Sequence, residues 1–274
     1  MPLFWQNYNK PGPGISKDEP RKKGIARFIE LIARDFGNLV KLNLLYQLCI
    51  LPSQVLLFFA YFFFGSGISI IFWVSALVAC IPLGPARTTV FYCVSKMLRD
   101  EPGFIGHDFR KVFLSNFRSM VLPGLVYGLA VGMQAFYAIS LLSLHENVPF
   151  SLLSFAILIL VIALIAPYMF LQAGYLDLKV PTMVKNCFFL TFAYFPRSIA
   201  SAVLSGALMI AQTVINLMLS FVLLPVTLLV GYVFPCLISL MFIWPPVDRT
   251  FSIEKTLLER EESAVISDIE QIEQ

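Results

Sequence analysis

The chain has 274 residues, 58% of them hydrophobic and only 14% charged, with 26 Phe and a mean hydropathy of +0.79. Soluble domains run at roughly 45–50% apolar and about 25% charged. A water-soluble core of this size could not hide so much apolar surface, so the solvent must be lipid.

Taken from the N-terminus, Met1–Lys10 has neither an apolar core nor a cleavage site, so no secretory signal is expected and this end stays cytoplasmic. Residues 1–38 read as a cytoplasmic segment with an amphipathic helix: Ile25, Phe28, Ile29, Ile32 and Phe36 recur at helical spacing, opposite Arg27, Glu30, Arg34 and Asp35. Between Lys41 and Arg87 no Asp, Glu, Lys or Arg occurs for 45 residues. As one helix that run would be about 67 Å long, far beyond a ~30 Å hydrocarbon core. It must fold back, and Gly65-Ser66-Gly67 supplies the turn, giving spans at about 42–64 and 68–83. Lys41 sits at a span edge, where it can snorkel.

Residues 85–118 read as cytoplasmic and interfacial. Val90, Phe91, Val94, Met97 and Leu98 form one apolar stripe, opposed by Ser95, Lys96, Arg99 and Asp100, and Pro85 suits a first helical turn. Ile105, Phe109, Val112, Phe113 and Phe117 form another, backed by Asp108, Arg110 and Lys111. Further charge-free runs give spans at about 119–142, 150–176, 198–221 and 226–244, the last two divided near Pro225. The 11 residues between Lys185 and Arg197 are too few to cross, so 177–197 reads as a second interfacial segment. Asp108–Arg118 and Thr182–Arg197 resemble each other loosely, each with a basic residue, an Asn (Asn116, Asn186), several Phe and a terminal Arg before a span. The segment 245–274 carries eight acids and three bases and reads as an acidic cytoplasmic tail, either solvated or clasped on a basic patch.

The expected fold is an all-α membrane protein of about six transmembrane helices, with a membrane domain over 39–244. Its external loops would be 65–67, 143–149 and 222–225, and they contain none of the 20 Lys and Arg. The positive-inside rule then puts both termini in the cytoplasm. Anionic lipids are expected partners of the basic cytoplasmic face; no nucleic-acid partner is.

Inside the spans the polar residues are few. Gly124, Gly128 and Gly132 fall four apart and make a smooth stripe that lets another helix approach, so they are candidate helix-packing positions. Gln212 and Asn216, also four apart, share a helix face and suit interhelical hydrogen bonding; Gln134 and Gln172 stand alone. With no acidic or basic residue in the middle of any span, a proton- or sodium-coupled transporter is disfavoured. The sequence has no Walker A, GxSxG or HExxH motif and no zinc-type cluster, and His107 and His145 fall on opposite sides of the expected membrane. The five cysteines, Cys49, Cys80, Cys93, Cys187 and Cys236, form no CxxC and read as free thiols. No catalytic residues, cofactor or metal are expected, and the chain is not expected to be an enzyme.

Three stretches resemble the YesL family of bacterial membrane proteins. They are Tyr8-Asn9-Lys10-Pro11-Gly12-Pro13-Gly14 with Lys17–Lys23, then Leu42-Asn43-Leu44-Leu45-Tyr46 through Pro52, and Gly84-Pro85-Ala86 leading to Leu98-Arg99-Asp100-Glu101-Pro102-Gly103 and Asp108-Phe109. Order and spacing agree over about 1–244, although the stretch from Pro52 to Gly84 is longer than usual and the acidic tail is atypical. The resemblance implies an accessory protein of the bacterial plasma membrane, associated with the permease and ATPase subunits of a carbohydrate ABC importer. It carries no catalytic residues. A chain that itself lines a substrate path is the alternative. For an accessory protein the candidate docking residues are Lys96, Arg99, Arg110 and Lys111 as a polar rim, with Phe109 and Phe113 as apolar anchors.

Overall fold

In the computed structural model the described residues are 24–64, 70–101, 103–144, 149–218 and 231–260, with 229 and 263 besides. The N-terminal head motif, His145, Glu146, the Pro225 break and the end of the acidic tail (261–262 and 264–274) lie outside them. The described residues form helices joined by short turns and loops, with no strand among them. In order the helices are α1 (Ile25–Phe64), α2 (Ile70–Cys80), α3 (Leu83–Leu98), α4 (Ile105–Ser115), α5 (Phe117–Leu144), α6 (Pro149–Tyr175), α7 (Val180–Ala193), α8 (Phe195–Met218) and α9 (Val233–Phe251). A short helix follows over 253–260.

Three stretches are long and apolar enough to cross a membrane: Ile25–Leu56, Trp73–Leu98 and Ala156–Tyr175. The number rises to five if the bent pairs α4–α5 (82°) and α7–α8 (99°) each count as one span. These two pairs are the segments whose sequences resemble each other: a short helix, a one-residue break at Asn116 or Tyr194, then a long apolar helix.

Two expected boundaries fall inside helices. The amphipathic segment and first span are one continuous 40-residue helix, α1, because nothing between Ile25 and Phe64 forces a break and Pro52 is accommodated inside it. The supposed tail boundary at 244/245 falls within α9, where Pro246 and Val247 are buried. The chain leaves that helix only at Ser252, which takes a left-handed φ of 50°.

The larger departure is α3. Its two-sided sequence pattern suggested a helix lying on an interface. In the structure it is the central element, packed against α1, α4, α5, α6 and α9. Ala86, Val90 and Val94 are fully buried, but so is Ser95 from the supposed polar side, together with Thr88 and Thr89. A helix surrounded by others has no solvated face. Two of its hydroxyls are satisfied locally, Thr89 donating to the Pro85 carbonyl (2.8 Å) and Ser95 to that of Tyr92 (2.8 Å), whereas the buried Thr88 hydroxyl has no hydrogen-bond partner among the described residues.

The α3–α5 crossing is made by glycine. A Cβ on Gly84 would stand 2.8 Å from the Gly124 Cα, and one on Gly128 would meet the Cys80 sulfur at 2.5 Å. At Gly84 and Gly124 the two backbones touch because neither residue carries a side chain, while Gly128 leaves room for the side chains of Cys80, at the end of α2, and Leu83. Around Gly132, by contrast, nothing lies within 4 Å of where a Cβ would be.

Candidate functional site

Two polar regions stand out, one at the charged end of the bundle and one inside it. The charged end is organised by the C-terminus of α3. There the Asp100 N–H donates to the Met97 carbonyl (3.1 Å) and the Glu101 N–H to that of Lys96 (3.2 Å), the double bond of a Schellman turn. Asp100 holds the left-handed position of that turn, with φ 63°. Two carbonyls of this last turn accept from α1: Leu98 from Arg27 (2.9 Å), and Met97, in addition to its Asp100 bond, from Arg34 (3.0 Å). Arg27 and Arg34 are seven residues apart and so share a face of α1. Both also grip the Asp100 carboxylate, Arg27 at 2.6 Å. Burial alone would raise the Asp100 carboxyl; the hydrogen bonds from Arg34 and Arg27 outweigh it and hold the group below its usual range. Lys96 pairs with Asp108 at 2.9 Å, tying α3 to α4. Between these groups lies a pocket of about 270 Å³, bordered by Arg34, Asn38, Lys96, Asp100 and Asp108.

This geometry divides the candidate docking residues. Arg110 and Lys111 are exposed, Lys96 and Phe113 are half-buried, and Phe109 is buried against Phe113 in a stacked pair (centroids 6.0 Å apart). Arg99 is 4% exposed, donates to the Tyr175 hydroxyl (2.8 Å), pairs with Glu101 and lies over the rings of Tyr175 and Trp244. Arg99 and Phe109 are therefore both internal, which removes Arg99 from the polar rim and Phe109 from the outward-facing apolar anchors. Burial of α3 on every side is the reason for the first. The second follows from α4 turning its Phe109–Val112 face inward.

Among the other candidates, Gly124 and Gly128 make the α3 contact already described, and Gly132 does not. Gln212 is half-buried, and the Asn216 side chain lies outside the described residues. Gln172 is fully buried and donates to the Cys187 sulfur at 3.4 Å.

The interior region centres on a residue that sequence reasoning left at the edge of a loop, Arg87. It lies on the first turns of α3, and its guanidinium is held by aromatic groups from four other helices. It sits over the ring of Tyr127 on α5 (4.2 Å), that of Tyr232 at the start of α9 (4.7 Å) and that of Phe170 on α6 (5.9 Å). It donates to the hydroxyl of Tyr127 and is hydrogen-bonded to that of Tyr46 on α1. Its Nε is buried and has no hydrogen-bond partner.

Local geometry explains the assembly. Gly84 and Arg87 are one turn apart on α3, as are Gly124 and Tyr127 on α5. Helical side chains lean toward the N-terminus of their own helix. In these antiparallel helices Arg87 and Tyr127 therefore both lean back to the level of the glycine crossing. Asn43 and Tyr46, one turn apart on α1, fix the third side. The Asn43 side-chain oxygen accepts the Tyr232 and Val233 N–H groups (3.0 and 3.2 Å), capping α9 from another helix, and Tyr46 stacks on Tyr232 (4.2 Å). Arg87 also lines a cavity of about 90 Å³ whose other walls are Ile162, Ala166 and Pro167 of α6, Gly206 and Met209 of α8, and Cys236 and Ser239 of α9.

A signal for Arg87 was present. The stripe Val90, Phe91, Val94 extended one turn backward lands on position 87, which places this cation on the apolar face. Compared with known protein families, with characterised proteins and with solved structures, the chain finds no match.

Proposed function

We propose that this chain is a six-span protein of a bacterial plasma membrane, with both termini cytoplasmic. In this reading it acts without catalysis, as an accessory or assembly subunit docked on the permease and ATPase of a carbohydrate ABC importer. The resemblance to the YesL family supports the importer, and the one-sided distribution of Lys and Arg supports the topology.

The observation that carries the docking part is the outer face of α4. Phe109 and Val112 anchor that helix in the core, while Arg110, Lys111 and Leu114 point away from it and Phe104 just before it is 86% exposed. A rigidly seated helix that offers two cations beside exposed apolar side chains suits a partner whose surface is acidic at the rim.

The test is Arg110→Glu with Lys111→Glu, followed by mild-detergent purification. The double variant should fold with an unchanged melting temperature and lose most of the copurifying permease complex. Full copurification overturns the docking face. Loss of affinity for anionic vesicles alone marks the helix as a lipid anchor instead. Uptake by the purified chain in liposomes without other subunits would favour the alternative, a protein that itself lines the path.

A further inference from the structure

Arg87 is placed where an isolated cation is costly. It lies nine residues before Lys96 on α3, and Tyr127 lies nine residues after Arg118 on α5. In each case that is about 13 Å of helix rise from the charged end. A hydrocarbon core is ~30 Å thick, so the guanidinium sits close to its middle if these helices cross a membrane. Ionisable groups at such depth are paired or functional. Yet among the described residues none of the side chains that contact Arg87 or line its cavity is acidic. Ring faces and phenol hydroxyls lower the cost of the charge without neutralising it.

The cavity beside it offers the complement: space of about 90 Å³ and a positive wall. Its serines are already engaged, Ser205 with the Ser201 carbonyl (2.7 Å) and Ser239 with the Ser201 hydroxyl (2.8 Å). The buried donor left over is the Nε of Arg87. The rim between α6 and α8 carries half-buried Ile162 and exposed Met209, so the cavity reaches the apolar outer surface of the bundle.

We propose that this cavity binds the carboxylate of an amphiphile, with the head against Arg87 and the chain leaving between α6 and α8. One cation in a low-dielectric site balances one negative charge; a dianion would leave a second charge buried and uncompensated. The volume of about 90 Å³ admits a carboxylate and a few carbons, whereas a phosphodiester brings a substituent on both sides. A planar carboxylate also matches the guanidinium edge that contains Nε. The inference is independent of the α4 docking face and does not require the importer reading.

The test uses the full chain in nanodiscs of zwitterionic lipid, with decanoate as probe and methyl decanoate as its neutral counterpart. Decanoate should bind saturably and raise the melting temperature, and the ester should do neither. Arg87→Met should weaken decanoate binding by at least about thirtyfold, the loss typical of removing one partner of a buried charge pair. Gly206→Leu gives a second arm that does not disturb the cage. A Cβ at Gly206 meets nothing within 4 Å, so a larger side chain should enter the cavity, leave the fold intact and abolish binding. If Arg87→Met does not fold, this variant decides. Equal stabilisation by the ester, or undiminished decanoate binding in the folded variants, overturns the proposal. Acetate distinguishes the source: competition at equal concentration assigns the site to a water-soluble acid, and absence of competition assigns it to one dissolved in the membrane.

Discussion

Arg27 and Arg87 are the same residue in two surroundings less than two helix turns from opposite ends of α3, and the protein holds them in opposite ways. At the charged end Arg27 is 8% exposed by its side chain and meets Glu30, Asp100 and a helix C-terminus, so each charge has a partner of opposite sign. In the interior Arg87 meets Tyr46, Tyr127, Phe170 and Tyr232 and no acid. The first arrangement is a closed network whose loss of one member strands the others. The second leaves a charge over, which is what a binding site needs and a structural one does not.

The comparison can be broken from either side, and the largest effect is expected at Asp100. Asp100→Ala removes the carboxylate shared by Arg27 and Arg34 and puts a poorly suited side chain at a left-handed position. A loss of about 2–3 kcal/mol follows, read as a fall in detergent melting temperature. Asp100→Gly, which suits the backbone and loses only the ion pairs, should fall less far.

Next comes the glycine crossing that brings Arg87 and Tyr127 together. Gly124→Ala overpacks the α3–α5 contact and should cost about 1–3 kcal/mol. It should also weaken decanoate binding without disturbing the Asp100 network. Gly132→Ala, on the same helix face but in open space, should be silent within about 0.5 kcal/mol. Equal melting temperatures for the two would remove the close contact from the account.

Arg87→Met should be milder still for stability, by no more than about 2 kcal/mol in either direction. The desolvated charge disappears while the Tyr46 and Tyr127 hydroxyls lose a partner. A large destabilisation there would mean that Arg87 is a structural cation like Arg27.

The smallest effect concerns acid. The Asp100 carboxyl is held below its unfolded value, so its stabilisation is fully present above about pH 4 and is lost as the pH falls through the lower, folded value. Melting temperature should therefore drop below about pH 4, and Asp100→Asn should remove that part of the pH dependence.

Much of the helical content was legible. Runs free of Asp, Glu, Lys and Arg anticipated long helices, and α5, α6 and α8 lie over the ranges read as spans. The glycine stripe was legible at Gly124 and Gly128 because spacing alone puts them on one face; that Gly132 falls outside the contact was not, since α3 turns away at a point no local pattern marks. The exposure of the docking candidates was half legible. Arg110 and Lys111 lie on the exposed face of a helix with one neighbour side, where polarity predicts exposure. Arg99 did not follow that rule, because on a helix enclosed by five others polarity predicts only that a partner must be found.

The sequence by itself determined where the chain is helical, which ends of those helices carry charge, and that its apolar surface suits lipid. Those properties are sums over neighbours in the chain: hydropathy over about 20 residues and side-chain spacing over one or two turns. Only the tertiary structure decided that α3 is central, that Asn43 caps a helix 189 residues away, and that Arg87 faces three aromatic rings, the Tyr46 hydroxyl and a cavity. Burial and pairing are set by residues far apart in sequence, and a cation is structural or available according to what those residues bring to it.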